Sequence, residues 1–284
     1  MGRYRKILVA IDGSEPSLHA LREACRLSSF EKSWITVVSV VPPYEGDLSL
    51  VGVKNVMAAM RQPFEEALSA AKDLAQQEGA LIKPVLEEGE PDRTVTDLAD
   101  AENFDLIVMG RKGIHGIEKA LVGSVTARVI GYSQKDVLVV PKDSPIGLER
   151  ILLATDGSKF SKAANEKAID FTRSYGNELK IVSVVNVHPD FYSEAPEILD
   201  NMVEKARKYV ETIREQATSA GISAEGFVRE GDTYKKIIDL AREMHVHIIM
   251  MGSHGRTGLR RLLMGSVAEK VIGLAPCPVL IVKS

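Results

Sequence analysis

The feature that most restricts this chain is that it is written twice. Lys6-Ile-Leu-Val-Ala-Ile-Asp12-Gly-Ser14 returns as Arg150-Ile-Leu-Leu-Ala-Thr-Asp156-Gly-Ser158, 144 positions later. Val108-Met109-Gly110 returns as Met250-Met251-Gly252, and Leu121-Val-Gly-Ser-Val125 as Leu263-Met-Gly-Ser-Val267, both at a spacing of 142. Solenoid repeats have periods of about 20 to 50 residues, so a repeat this long is a duplicated domain. At roughly 150 residues per domain, 284 residues hold two. The expected domains are 1–143 and 148–284, joined by Asp143-Ser-Pro-Ile-Gly147, whose proline and glycine punctuate a turn.

Within each copy, apolar strand-like runs alternate with amphipathic helical stretches, the signature of an α/β domain with a parallel sheet. Strands are expected at Lys6 to Asp12, Trp34 to Val41, Leu81 to Glu87, Asp105 to Gly110 and Asp136 to Pro141. Their counterparts are Arg150 to Asp156, Leu179 to Asn186, Ser223 to Arg229, His247 to Gly252 and Pro278 to Val282. Ser14 reads as a helix N-cap before Leu18, Leu21, Ala24 and Cys25, and Asn55 to Gln77 as a helix stopped by Gly79.

Composition narrows the classes. Hydrophobic residues make up 45% and charged residues 26%, which excludes a disordered or fibrous chain. The longest apolar runs fall far short of the ~20 residues that span a bilayer, and the first residues carry no cleavage-site pattern, so a cytoplasmic protein without a membrane partner is expected. A formal charge of −3 gives no general attraction to nucleic acid. Two cysteines, Cys25 and Cys277, are too few for a disulfide framework and are expected to be buried thiols.

In a doubly wound sheet, ligands bind beyond the C-terminal strand ends. Two polar signals stand there. One is the aspartate after the first strand of each copy, Asp12 and Asp156. The other is a glycine-rich loop after the fourth strand: Gly110-x-x-Gly113, nine residues, Gly123-Ser124, matched by Gly252-x-x-Gly255, nine residues, Gly265-Ser266. Glycines at these positions let backbone turn through positive φ and lie close against a ribose or phosphate. Ser124 and Ser266 open helical stretches, where free amides, the helix dipole and a hydroxyl converge on an anion. The alternative is that the glycines serve only helix capping and close packing, and that the aspartates only cap the following turn.

There is no Gly-x-x-x-x-Gly-Lys-Ser/Thr loop, no Gly-x-Gly-x-x-Gly and no Gly-x-Ser-x-Gly elbow. His245 and His247 lack the further ligands a metal needs, so a structural or solvated role is expected. Tyr44, Phe191 and Tyr192 follow the second strands and either flank a ligand or pack on the sheet.

Together these residues resemble the ATP-binding branch of the universal stress protein family, in two tandem copies covering nearly the whole chain. The diagnostic Gly-x2-Gly-x9-Gly-Ser/Thr spacing and the aspartate stand in both. The resemblance implies two Rossmann-like α/β domains of the adenine nucleotide alpha hydrolase type, each a five-stranded parallel sheet of order 3-2-1-4-5 flanked by helices. It implies an adenine nucleotide (ATP, or ADP or AMP) with magnesium bridging the phosphates. In the first copy it places Ala10, Asp12, Val40, Met109 and Gly110 at base and ribose, and Gly113, Gly123, Ser124 and Val125 at the phosphates. The second set is Ala154, Asp156, Val184, Met251, Gly252, Gly255, Gly265, Ser266 and Val267. In the nine-residue insert Ile114 stands opposite Arg256, Glu118 opposite Arg260 and Lys119 opposite Arg261, so Arg256 joins the second set and that site is expected to grip a triphosphate more tightly.

No base aimed at water is evident, so a stress-responsive, nucleotide-dependent regulator rather than an enzyme is expected. A slow ATPase or adenylate-transferring enzyme of the same superfamily is the alternative, although a Ser-Gly-Gly-x-Asp-Ser loop is missing. The Gly-x-x-Gly loops leave strands rather than joining helices, which argues against a nucleic-acid module of the KH type. The last strand of each copy is expected at a sheet edge, pairing the halves into an internal pseudo-dimer, with a further homodimer left open.

Overall fold

The computed structural model describes residues 4–44, 53–113, 121–175, 178–187, 196–255 and 264–283. The chain divides into two compact units, Met1–Asp143 and Ser144–Ser284.

In the first unit the strands are β1 (Lys6–Ile11), β2 (Trp34–Val41), β3 (Ile82–Glu88), β4 (Leu106–Gly110) and β5 (Asp136–Val140). All pairs are parallel, in the order β3-β2-β1-β4-β5. β4 and β5 are buried along their whole length, which is why they read as unbroken aliphatic runs: helices cover both faces of a parallel sheet. The helices are α1 (Glu15–Glu31), α2 (Val53–Gln77), α3 (Pro91–Ala101) and α4 (Ser124–Tyr132). α1 packs on α2 and α3 on α4, as right-handed crossovers demand when the chain walks outward to β3 and then returns past β1 to β4. The Ser14 hydroxyl accepts from the Ser17 amide at 3.3 Å, capping α1, and Gly79 beyond α2 has a φ of +67°. At the far end of the sheet the Tyr4 hydroxyl donates to the buried Asp136 carboxylate at 2.9 Å.

The second unit repeats this plan. Its strands are β6 (Arg150–Ala154), β7 (Glu178–Val185), β8 (Ser223–Glu230), β9 (Ile248–Gly252) and β10 (Val279–Val282), parallel in the order β10-β9-β6-β7-β8. Its helices are α5 (Lys159–Tyr175), α6 (Pro196–Ser219), α7 (Thr233–Glu243) and α8 (Ser266–Leu274).

Each unit therefore has the expected five-stranded sheet of order 3-2-1-4-5. The strands end one or two residues earlier than expected at Asp12, Asp156 and Pro141, because the chain leaves the ladder to turn there. Cys25 and Cys277 are free and buried, and burial pushes the Cys25 thiol up to about 11. His245 and His247 are structural: Arg150 donates from Nε to the His245 carbonyl at 2.8 Å, and its Nη2 lies 3.2 Å from His247 Nε2. Gly147 lies against that imidazole, where a Cβ would fall 2.6 Å from Cγ. No described helix is long and apolar enough to cross a membrane.

Candidate functional site

The order of each sheet reverses between its first and fourth strands, and the predicted residues gather at the C-terminal ends of these two. Ala10 pairs in register with Met109. In the second unit Leu153 pairs with Met250, which sets Ala154 beside Met251. Ile11 pairs with Ser39 and Ala154 with Val182, so Val40 and Val184 stand beside Asp12 and Asp156 at the ends of the second strands.

The aspartates face two ways. Asp12 Oδ1 accepts from the Ser14 amide at 3.0 Å and from the Ser14 hydroxyl at 2.6 Å. Asp156 Oδ1 accepts from the Ser158 amide at 2.9 Å. These are the turn-capping bonds of an aspartate before a glycine, so the capping role is real. The second oxygen of each does something else. A Cβ on Gly113 would collide with Asp12 Oδ2, and one on Gly255 would lie 2.9 Å from Asp156 Oδ2. The second glycine of each loop, about a hundred residues from its aspartate, thus rests against the carboxylate that the first strand carries.

The loops are pinned alike. The Gly123 amide donates to the Arg111 carbonyl at 2.9 Å, and the Gly265 amide to the Ser253 carbonyl at 2.9 Å. A Cβ on Gly123 would meet Lys112 Cα at 3.4 Å, and one on Gly265 would meet His254 Cα at 3.4 Å. In both units a backbone hydrogen bond thus joins the residue after the fourth strand to the glycine that precedes the helix. Gly110 has a different neighbour: a Cβ there would lie 2.9 Å from the Pro16 carbonyl group, because the first turn of α1 crosses the end of β4. The Thr126 hydroxyl donates to the Gly110 carbonyl at 3.1 Å and ties α4 to the same strand end.

α4 and α8 begin at Ser124 and Ser266, with Gly123 and Gly265 as N-caps, and neither cap supplies a side-chain hydrogen bond. Val125 and Val267 follow in the first turn. The exposed serines and their amides form an uncapped helix start beside the glycine loop, the arrangement that accepts a phosphate.

One expectation is corrected. Among the described residues, none of the loop glycines has a positive φ. At Gly110, Gly113 and Gly255 backbone or carboxylate approaches too closely for a side chain, whereas at Gly123 and Gly265 a Cβ would make ordinary contacts. Beside the site, positive φ is found at Gly13 (+81°) and Gly157 (+76°), directly after the aspartates. The Asp-Gly dipeptides carried that signal, as common turn punctuation.

A second feature has no local signal at all. In the second unit the Tyr209 ring from α6 packs 3.6 Å from where a Gly157 Cβ would stand. Its hydroxyl accepts from Asn165 Nδ2 at 2.6 Å and lies 3.3 Å from Thr155 Oγ1 and 3.5 Å from Ser161 Oγ. In the first unit the residue facing Gly13 is Ala67, and Ile11 and Leu21 stand where Thr155 and Asn165 do. The second site thus rests on a buried polar cluster and the first on apolar packing.

Among the described residues no group of three His, Cys, Asp or Glu could hold a metal. Arg256, with Ile114, Glu118, Lys119, Arg260 and Arg261, lies outside the described residues, as do Phe191 and Tyr192. Tyr44 is 37% exposed.

The sequence model of the Universal stress protein family matches residues 3–141 and again 147–283. A universal stress protein of Methanocaldococcus jannaschii is 33% identical over 139 residues, covering 48% of this chain and 82% of that one. A universal stress protein of Mycolicibacterium smegmatis is 24% identical over 292 residues, covering 98% of this chain and 96% of that one. Among solved structures, a universal stress protein from Archaeoglobus fulgidus superposes with a TM-score of 0.76 at 23% identity, covering 98% of this chain and 96% of that one. Two matches to one family model that between them cover almost every residue, on a fold of the same kind, show that this chain belongs to the universal stress protein family, in tandem form.

Proposed function

We propose that each unit binds an adenine nucleotide, ATP above all, across the ends of its first and fourth strands, and that occupancy makes the chain a nucleotide-dependent regulator of the cytoplasmic stress response. The observation that carries this reading is the contact of Gly113 with Asp12 and of Gly255 with Asp156, made twice on independent copies of the loop. A loop kept bare against a carboxylate, next to an uncapped helix start, is a cradle that a side chain would fill.

The residues present fit the group. Asp12 and Asp156 would each meet a ribose hydroxyl through the oxygen that faces the glycine loop, beside Ala10, Val40 and Met109 or Ala154, Val184 and Met251. The amides of Gly113, Gly123, Ser124 and Val125, and of Gly255, Gly265, Ser266 and Val267, would hold the phosphates, with the serine hydroxyls as further donors. Magnesium, if bound, would depend mostly on nucleotide and water for its ligands, since no described group of side chains could hold it.

Calorimetry of the intact chain with ATP tests the reading. Two sites are expected; Gly113→Val weakens one and Gly255→Val the other, each on the order of a hundredfold, since the new side chain occupies the cradle. Flat titrations of the unaltered chain with ATP, ADP and AMP would sink it.

One contact favours the alternative, slow ATP hydrolysis or group transfer. In the second loop Ser253 Oγ lies 3.1 Å from His254 Nδ1, and the first loop has Arg111 and Lys112 at those positions. Phosphate release above background that disappears in His254→Ala would establish it; release unchanged by the substitution would leave the binding role.

A further inference from the structure

The outer strands of the two units are not alike. β3 and β8 each end a sheet in the strand order. The Gly89 amide donates to the Val41 carbonyl and the Gly231 amide to the Val185 carbonyl, both at 3.0 Å. Alternate residues of a strand present their amide and carbonyl to opposite sides, so the odd-numbered residues of β3 and β8 face inward and the even-numbered ones face out. The outward positions of β3 include Pro84, which has no N–H to offer. The equivalent position of β8 is Gly226. A proline on an outer strand is a common block against edge pairing, and β8 lacks it.

We propose that two copies of this chain associate through β8, antiparallel, about a two-fold axis passing through Phe227. The register follows from parity and charge. Antiparallel pairing requires outward residues to face outward residues, so the axis must pass through a residue of the strand. Centred on Phe227, it sets Ala224 opposite Glu230 and Gly226 opposite Val228 as hydrogen-bonded pairs. It sets Phe227 opposite itself and Glu225 opposite Arg229 as the closer, non-hydrogen-bonded pairs. The two-fold produces the Glu225–Arg229 contact twice, and opposite charges facing across a ladder stabilise it where like charges would not.

The side chains stand ready for this. Glu225 is exposed and held by Lys180 at 2.9 Å, and the Arg229 guanidinium lies over the Phe227 ring at 5.2 Å. A cleft of about 980 Å³ runs between α6 and β8, lined by Arg207, Glu211, Arg214, Glu215 and Gly226. Acidic and basic groups alternate along it, which suits a surface that meets its own copy and not one that meets a polyanion. This association does not depend on nucleotide binding.

Sedimentation equilibrium of the full chain, with Phe227→Cys, Arg229→Glu and the Glu225→Arg/Arg229→Glu exchange, tests it. A reversible dimer is expected. Arg229→Glu places like charges opposite each other and weakens it about tenfold or more, and the exchange restores it. In the Phe227→Cys variant, oxidation joins the two copies through that position, since the other two cysteines are buried. A chain that stays monomeric at every concentration overturns the proposal. So does a dimer that Arg229→Glu leaves unchanged and that the Phe227→Cys variant fails to trap.

Discussion

At the scale of the residue, the same aspartate serves two purposes. One oxygen closes its own turn and the other faces a glycine brought in from the fourth strand. The two copies differ in what lies beneath that turn. Tyr209→Phe keeps the ring against Gly157 but leaves the buried Asn165 amide without its partner, an expected loss of about 1–3 kcal/mol in urea denaturation. Ala67, at the matching place in the first unit, has no hydroxyl to lose. His247 gives a pH dependence with a definite sign. Burial first, and the Arg150 guanidinium second, lower its pKa from the ordinary 6.5, against a smaller opposing effect of Glu149. The unfolded chain therefore binds the proton more readily. The stability linked to His247 is fully present above about pH 6.5 and is lost as the pH falls through the lower folded value. Denaturation midpoints measured on both sides of that window should fall on the acid side, and His247→Gln should flatten the difference.

At the scale of the element, the strands were legible because a parallel sheet covered on both faces demands continuous aliphatic runs, and those runs bracket every observed strand to within a few residues. Helix starts were legible for the same kind of reason. Ser14 caps α1 through a bond that needs only a hydroxyl at one position, so Ser14→Ala should cost about 1 kcal/mol in chemical denaturation. It also removes the hydroxyl that donates to Asp12, which loosens the site in the same step. The role of the glycine loops was half legible. Their spacing marks the site, but not the reason for glycine, because a close approach is made by atoms distant in sequence whereas a turn is made by neighbours. At the described part of the site the left-handed conformation belongs to the Asp-Gly turns, not to the loop glycines.

At the scale of the whole molecule, duplication lets one copy serve as a control for the other. The two compact units should fold when expressed separately, split after Asp143, since each has its own sheet and core. If the proposed function holds, calorimetry of the halves should give several-fold tighter ATP binding for the second, whose insert carries Arg256, Arg260 and Arg261 against Lys119 and Glu118 in the first. Equal affinities in the two halves would refute this difference. The sequence by itself determined the two-domain plan, the strands, the helix caps and the positions from which a site could be built. Each of these follows from burial or capping rules that act over a few neighbouring residues or repeat along the chain. Only the tertiary structure decided that Gly113 and Gly255 lie against the aspartates, that Tyr209 braces one turn and Ala67 the other, and that β8 keeps an outward amide where β3 has a proline. Those facts depend on which distant segments the sheet order brings together, and packing between segments leaves no periodic trace in either one alone.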